Sequence, residues 1–263
     1  MNIIHEEYNF LKVKLPTQIM QNNMTLKETY STNPEINEAI LWLLMYGYSP
    51  LPVAPAQNPY RYPGISFKIN DEKEAVIQWT NSPLTTEIKP RRRFNGKNPS
   101  YLDRDGKPYL VLYKRYLNRL PSESQLKTWF ANPMNGIGTM GGQNNTVWLD
   151  IDSYHFISKD DCQSLVQDFL NKSSVLQKTF IEQTQSGGWR IGVRVKEDPN
   201  FRRFSFHKGG KQVGVLLRSG QFTVLAPTIG PSGESYRSVQ RIFPVEIESL
   251  ESIGIYPALE HIS

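Results

Sequence analysis

Asp150-Ile151-Asp152 closes a short apolar run, Thr146-Val147-Trp148-Leu149, and this pattern predicts a buried strand reaching an exposed end. Strand side chains alternate between faces, so residues two apart share one. Asp150 and Asp152 therefore project together, with Ile151 turned toward the core. Hard divalent cations such as Mg²⁺ or Mn²⁺ take oxygen ligands of this kind, binding through one or two carboxylates plus phosphates. In nucleotidyl transfer, metals held this way grip the attacking hydroxyl and the leaving pyrophosphate. A solvated acid pair at a strand end has the same sequence, and the spacing alone leaves both readings open.

A second constellation follows at Thr184-Gln185-Ser186-Gly187-Gly188-Trp189-Arg190. Two glycines let backbone amides approach a phosphate, Ser186 offers a hydroxyl, and Arg190 can pair with phosphate oxygens. Trp189 and Arg190 point to opposite sides of a strand, so only one of them can line a given pocket. The alternative is a glycine-rich hairpin turn without a ligand. Leu225 to Gly233, read by itself, is only a turn.

The net charge of +5 is unevenly placed. Residues 87–119 hold 10 basic and 3 acidic side chains, and residues 190–241 again hold 10 and 3. The segment between them, with Asp150 and Asp152, is net acidic. In the first block Arg91, Arg92, Arg93 and Lys97 are interleaved with Tyr101 and further tyrosines. Arginine and lysine track a phosphate backbone while tyrosines stack on unpaired bases. This favours nucleic-acid contact over a merely solvated face, and it lays a polyanion along both basic blocks with metal between them.

Several elements must position these groups. Asn33-Pro34-Glu35 starts a helix carrying Ala39, Ile40, Leu43 and Leu44, ended by Gly47. The proline-rich stretch 49–65 predicts an extended loop or edge. A second helix is expected over about 122–131, capped at Ser122, with turns at Asp105-Gly106, Asn135-Gly136 and Gly141-Gly142. Ser158 caps a helix over 158–171. Residues 178–184 and 189–195 form a hairpin, and strands at about 212–217 and 221–226 meet at Ser219-Gly220. The order is α+β, an antiparallel-rich sheet with a helix on one face.

At 263 residues and 38% hydrophobic the chain can bury a substantial core. The single cysteine, Cys162, excludes an internal disulfide and a thiolate zinc site, and the four histidines are scattered. No run approaches the roughly 20 apolar residues of a membrane span, and the acidic start is unlike a signal peptide. A cytoplasmic protein is expected.

In this order the features resemble the primase–polymerase (Prim-Pol) domain of the archaeo-eukaryotic primase superfamily, of the kind found in bacterial and plasmid replication proteins. The matching stretches are Tyr46 to Val53, the helix ending at Trp129 with Asn135-Gly136-Ile137-Gly138 and Gly141, Val147 to Asp152, Thr184 to Arg190, and the run 224–236. The resemblance implies a two-lobed α+β fold whose catalytic sheet is built like an RNA-recognition motif. Its divisions would be a lead-in over 1–32, an N-terminal lobe over 33–145 with the basic insert 87–119, and a catalytic-type lobe over 146–263.

The resemblance also implies template-directed addition of nucleotides from nucleoside triphosphates, with Mg²⁺ or Mn²⁺ as cofactor. A DNA template or single strand and a replicative helicase are the implied partners, with no membrane. Asp150 and Asp152 match the family's metal-binding pair, and Ser186, Gly187 and Gly188 its nucleotide-phosphate turn. Three positions depart. Arg190 stands where the family carries a histidine, Val213 to Arg218 has no acid where a third carboxylate is usual, and Gly230 replaces a further histidine. The readings are therefore a nucleotidyltransferase, a catalytically lapsed module binding single-stranded DNA or nucleotides, or a nuclease on the same acids.

Overall fold

Asn33 opens the first helix, α1 (Pro34–Met45), its side-chain oxygen accepting the amides of Glu35 and Ile36. This computed structural model describes residues 28–56, 65–69, 75–79 and 94–259. Most of the expected lead-in, part of the proline-rich stretch and Arg91, Arg92 and Arg93 lie outside the described residues. The helix buries Ile36, Ala39, Ile40 and Leu43, and Gly47, at φ +72°, turns the chain away.

Strands β1 (Leu51–Val53), β2 (Ile65–Ile69) and β3 (Ala75–Trp79) follow, β2 and β3 pairing with each other. The Asp105-Gly106 turn joins β4 (Ser100–Leu102) to β5 (Pro108–Leu110), with Gly106 at φ +78°. Ser122 then caps α2 (Glu123–Trp129) in a reciprocal box with Gln125.

Asn135-Gly136, expected as a turn, instead begins a buried strand, β6 (Gly136–Met140). The Asn135 side chain is buried and bonded to Leu102 and the Trp129 carbonyl, so it ties β4 and α2 together rather than turning in solvent. Gly142, at φ +90°, does mark a turn.

The large sheet begins with β7 (Thr146–Ile151), followed by α3 (Lys159–Asn171), β8 (Phe180–Gln183) and β9 (Trp189–Arg194). Ser158 caps α3 by accepting the Asp161 amide. The chain continues through β10 (Arg203–Ser205), β11 (Gly214–Leu217), β12 (Phe222–Leu225), β13 (Arg237–Gln240), β14 (Val245–Glu246) and β15 (Tyr256–Pro257). Eight strands form one sheet in the order β13-β8-β9-β7-β11-β10-β15, with β14 beside β9 as its one parallel neighbour.

The strands around Ser219-Gly220 do not pair with each other. β11 lies in the large sheet, whereas β12 joins β1 and β6 in a three-stranded sheet, β1-β6-β12. The turn hands the chain from one sheet to the other, because β6 offers β12 a free edge: Leu225 pairs with Ile137 and Phe222 with Met140. That sheet thus combines strands from both sides of the expected division at 145/146.

Two apolar layers result. On one face of the large sheet, Val147, Leu149, Ile151, Ile191 and Val193 pack against Cys162, Val166 and Phe169 of α3. On the other, Trp148 and Phe180 join α1, α2 and the small sheet. Among the described residues no helix is long and apolar enough to cross a membrane.

Candidate active site

Register alone sets the centre of the site. Glu182 on β8 lies opposite Arg190 on β9, which lies opposite Asp150 on β7, which lies opposite Val215 on β11. This row occupies the face turned toward the small sheet, since the residues on either side of Asp150, Leu149 and Ile151, pack toward α3. Trp189 likewise packs against the α3 layer while Arg190 faces the cleft, as strand alternation requires.

Arg190 is buried, and its contacts define it. Its Nη2 meets Asp150 Oδ1 at 2.6 Å, its Nη1 donates to the Val224 carbonyl of β12, and its guanidinium lies 5.6 Å from the centre of the Tyr236 ring. Burial works against the charge, but Asp150, Tyr236 and Glu182 outweigh it and hold the pKa above its ordinary value. The guanidinium is therefore an internal cation spanning both sheets, not a free arm at the turn.

Glu182 is fully buried. One of its oxygens accepts the Ala226 amide at 3.0 Å and the other has no partner. Desolvation pushes its pKa up to about 7, against the pull of Arg190 and Arg241. Strand pattern gave no hint of this residue: a lone glutamate acquires meaning only once register puts it beside Arg190.

Asp152 stands at the mouth of the cleft, where its carboxylate accepts the Tyr154 hydroxyl at 3.0 Å. Partial burial raises its pKa, and the neighbouring charge of Asp150 raises it further. The two carboxylates are thus electrostatically in contact, as their spacing predicted. Two like charges held together are relieved by a cation.

The turn after β8 is tied to the same place. The Ser153 hydroxyl donates to the Ser186 carbonyl at 2.9 Å, and the Gly187 amide bonds back to Thr184. Gly187 sits at φ +86°, and a Cβ on Gly188 would come within 2.3 Å of the Ile151 carbonyl. Only glycine lets this turn press against the end of β7. Ser186, Gly187 and Gly188 are thereby brought beside Asp152. Lys159, the first residue of α3, lies over Gly187, where a Cβ would meet its side chain at 2.8 Å. Sequence reading missed this lysine, because helix position gives no sign of which turn it covers.

The basic blocks divide between surface and interior. Lys97 is exposed; Tyr101 is half-buried against the core and stacks on Tyr109 at 5.4 Å. Arg115 and Arg119 cover the buried Tyr116 ring at 4.9 and 5.4 Å. In the second block Arg190, Arg194, Arg218 and Arg241 are committed to internal partners. An even polyanion track along both blocks is therefore not what these side chains form, because four of the second block's ten cations are turned to partners within the protein: Arg190 to Asp150 and Val224, Arg194 to Pro244, Arg218 to Pro199 and Arg241 to Ala226.

Comparison with protein-family models matches residues 46–252 to Prim-Pol, the N-terminal domain of bifunctional DNA primase/polymerases. The chain belongs to the Prim-Pol family. No curated protein matches it. The matched region takes in the mixed α+β architecture, the acidic pair and the turn.

Prim-Pol proteins generally use divalent metal, and the chemistry of the cleft bears on whether one fits. Asp150 retains one oxygen outside the Arg190 contact, and Asp152 carries the raised pKa of a carboxylate crowded by another. The pair fits one hard cation whose remaining positions come from water or phosphate. Among the described residues no cluster of three or more His, Cys, Asp or Glu side chains is present. Where the Prim-Pol resemblance leads one to expect a third acid, Val215 faces Asp150 across β11.

Proposed function

We propose that this Prim-Pol protein performs template-directed nucleotidyl transfer from nucleoside triphosphates, with Asp150 and Asp152 holding a divalent cation. The observation that carries this is the coupled acidic pair at the cleft mouth, with the glycine turn pressed against it. Bound there, Mg²⁺ or Mn²⁺ would supply Lewis-acid polarisation of the phosphoryl oxygens. The chain's own residues do the rest. The Ser186 hydroxyl and the amides of Ser186 and Gly188 face the triphosphate, Gly187 shapes the turn, and Lys159 stands at their side. Arg190 orients Asp150 through their ion pair rather than touching phosphate, and its fixed charge offsets part of the anion gathered in the cleft. Lys97, Arg91, Arg92 and Arg93 contact the template, while Tyr101 is half-buried against the core.

Primer extension in Mn²⁺ tests this reading. Wild type should incorporate nucleotides and the Asp150→Ala/Asp152→Ala variant should not. Equally negligible incorporation by both would reject catalysis. The Arg190–Asp150 ion pair favours one second reading, a lapsed module that binds single-stranded DNA without turnover, since one carboxylate is already neutralised. Salt-dependent DNA binding without metal-dependent product would select it. Residence in the cytoplasm and cooperation with a replicative helicase belong to the same proposal; fractionation and co-purification test them.

A further inference from the structure

A groove of about 550 Å³ lies where the two basic blocks meet, remote in sequence from the acidic pair. Its cations are Lys97 and Lys114 from the first block and Arg202 from the second; its apolar floor is Leu112, Tyr113 and Phe222. Among the described residues no carboxylate lines it, and none forms an ion pair with these three cations. Leu112 is 77% exposed, and the Tyr113 and Phe222 rings stand 5.9 Å apart.

Leu217 of β11 also lines the groove, and register fixes where that is. Leu217 pairs with Trp148, and Val215, on the same strand face, pairs with Asp150. The groove wall is therefore two residues, roughly 7 Å, along β11 from the carboxylate row. It opens on the sheet face that carries Asp150.

We infer that this groove seats a single strand of nucleic acid, its phosphates on Lys97, Lys114 and Arg202 and its bases against Leu112 and Tyr113. The inference rests on the nucleic-acid reading above and adds the groove and the residues that hold the strand. Positive charge without counter-charge selects a polyanion. An exposed leucine and a half-buried tyrosine beside that charge select one whose base faces are free, because a duplex hides them. An acidic peptide would satisfy the cations but leave Leu112 in water.

The test is anisotropy of a fluorescein-labelled dT20 with the full chain, at several salt concentrations. Lys114→Glu/Arg202→Glu should weaken binding at least tenfold and flatten the salt dependence by about 0.7 per cation removed. Charge-neutral Leu112→Ser should weaken it several-fold. Lys172→Glu/Lys178→Glu alters net charge equally at the end of α3 and in the turn after it, and should have a smaller effect. Retained melting temperature verifies folding in each variant. A blunt-ended duplex should bind more weakly, and poly-glutamate should compete poorly.

Equal binding by wild type and the groove variants overturns the groove while leaving the proposed function standing. Effective competition by poly-glutamate overturns it in favour of an acidic peptide. Failure of wild type to bind dT20 even at low salt overturns both.

Discussion

Arg190 lies between two carboxylates, and its removal should be felt through both. Arg190→Ala would leave Asp150 without its ion-pair partner and the buried Glu182 with only the pull of Arg241, and would free the Val224 carbonyl. Breaking a buried pair in this way costs about 3–5 kcal/mol. Arg190→Lys should cost less, because a point charge still reaches one partner but cannot fork between strands. Urea unfolding of the three proteins checks the order. Glu182 makes a second prediction. Its folded pKa of about 7 exceeds the ordinary 4.5, so the folded state binds a proton that the unfolded state releases between those values. Its stability penalty is complete above pH 7, about 3 kcal/mol, and fades as pH falls toward 4.5. Wild type should therefore gain stability from pH 8 to pH 5.5 more steeply than Glu182→Gln. Asp150 and Asp152 were legible in the sequence because strand alternation is a local rule. Glu182 and the true place of Arg190 were not, because both depend on which strand lies alongside.

At the scale of elements, the small sheet works because its middle strand carries glycine at 136 and 138, where neighbouring chains come close. A Cβ on Gly138 would meet the Thr223 carbonyl at 2.3 Å and the Phe222 ring at 2.5 Å. Gly138→Ala should force β12 away from β6 and lower stability by about 1–3 kcal/mol. Since β12 carries the Val224 carbonyl that anchors Arg190, the same change should raise the accessibility of that arginine to a guanidine-directed reagent such as phenylglyoxal. The helices could be read from capping residues: Asn33, Ser122 and Ser158 each take the expected role. β6 could not. Asn135-Gly136 has turn composition, and its strand character comes from the edges supplied by β1 and β12, and from the Asn135 bonds to β4 and α2. Tertiary partners overrode a local signal there.

For the whole molecule, a cation bound only by the folded state should raise its melting temperature by mass action, about 2.7 kcal/mol at a hundredfold excess over Kd. Mn²⁺ should stabilise wild type. Asp152→Asn removes a carboxylate crowded by Asp150 and leaves the Arg190 contact intact, so its metal-free melting temperature should match or exceed that of wild type. Its response to Mn²⁺ should be largely lost, and calorimetric melts with and without the ion separate the two effects. The α+β class and the match to one family across residues 46–252 follow from motifs spaced along the whole chain, which is why they were visible without coordinates.

The three-stranded sheet imposes an order of events on synthesis. β6 pairs with β12 across 88 residues, Ile137 with Leu225, and no nearer segment supplies that edge. While a ribosome is still making the second half, β1 and β6 can associate but must wait with one side open, and the apolar layer under α1 stays unsealed until Leu225 has emerged. Long-range pairing of this kind is slow, and a waiting strand edge invites intermolecular pairing. A chain stalled or cleaved between β11 and β12 would therefore aggregate rather than leave a working fragment, and a late-arriving strand would act as the fold's closing clasp.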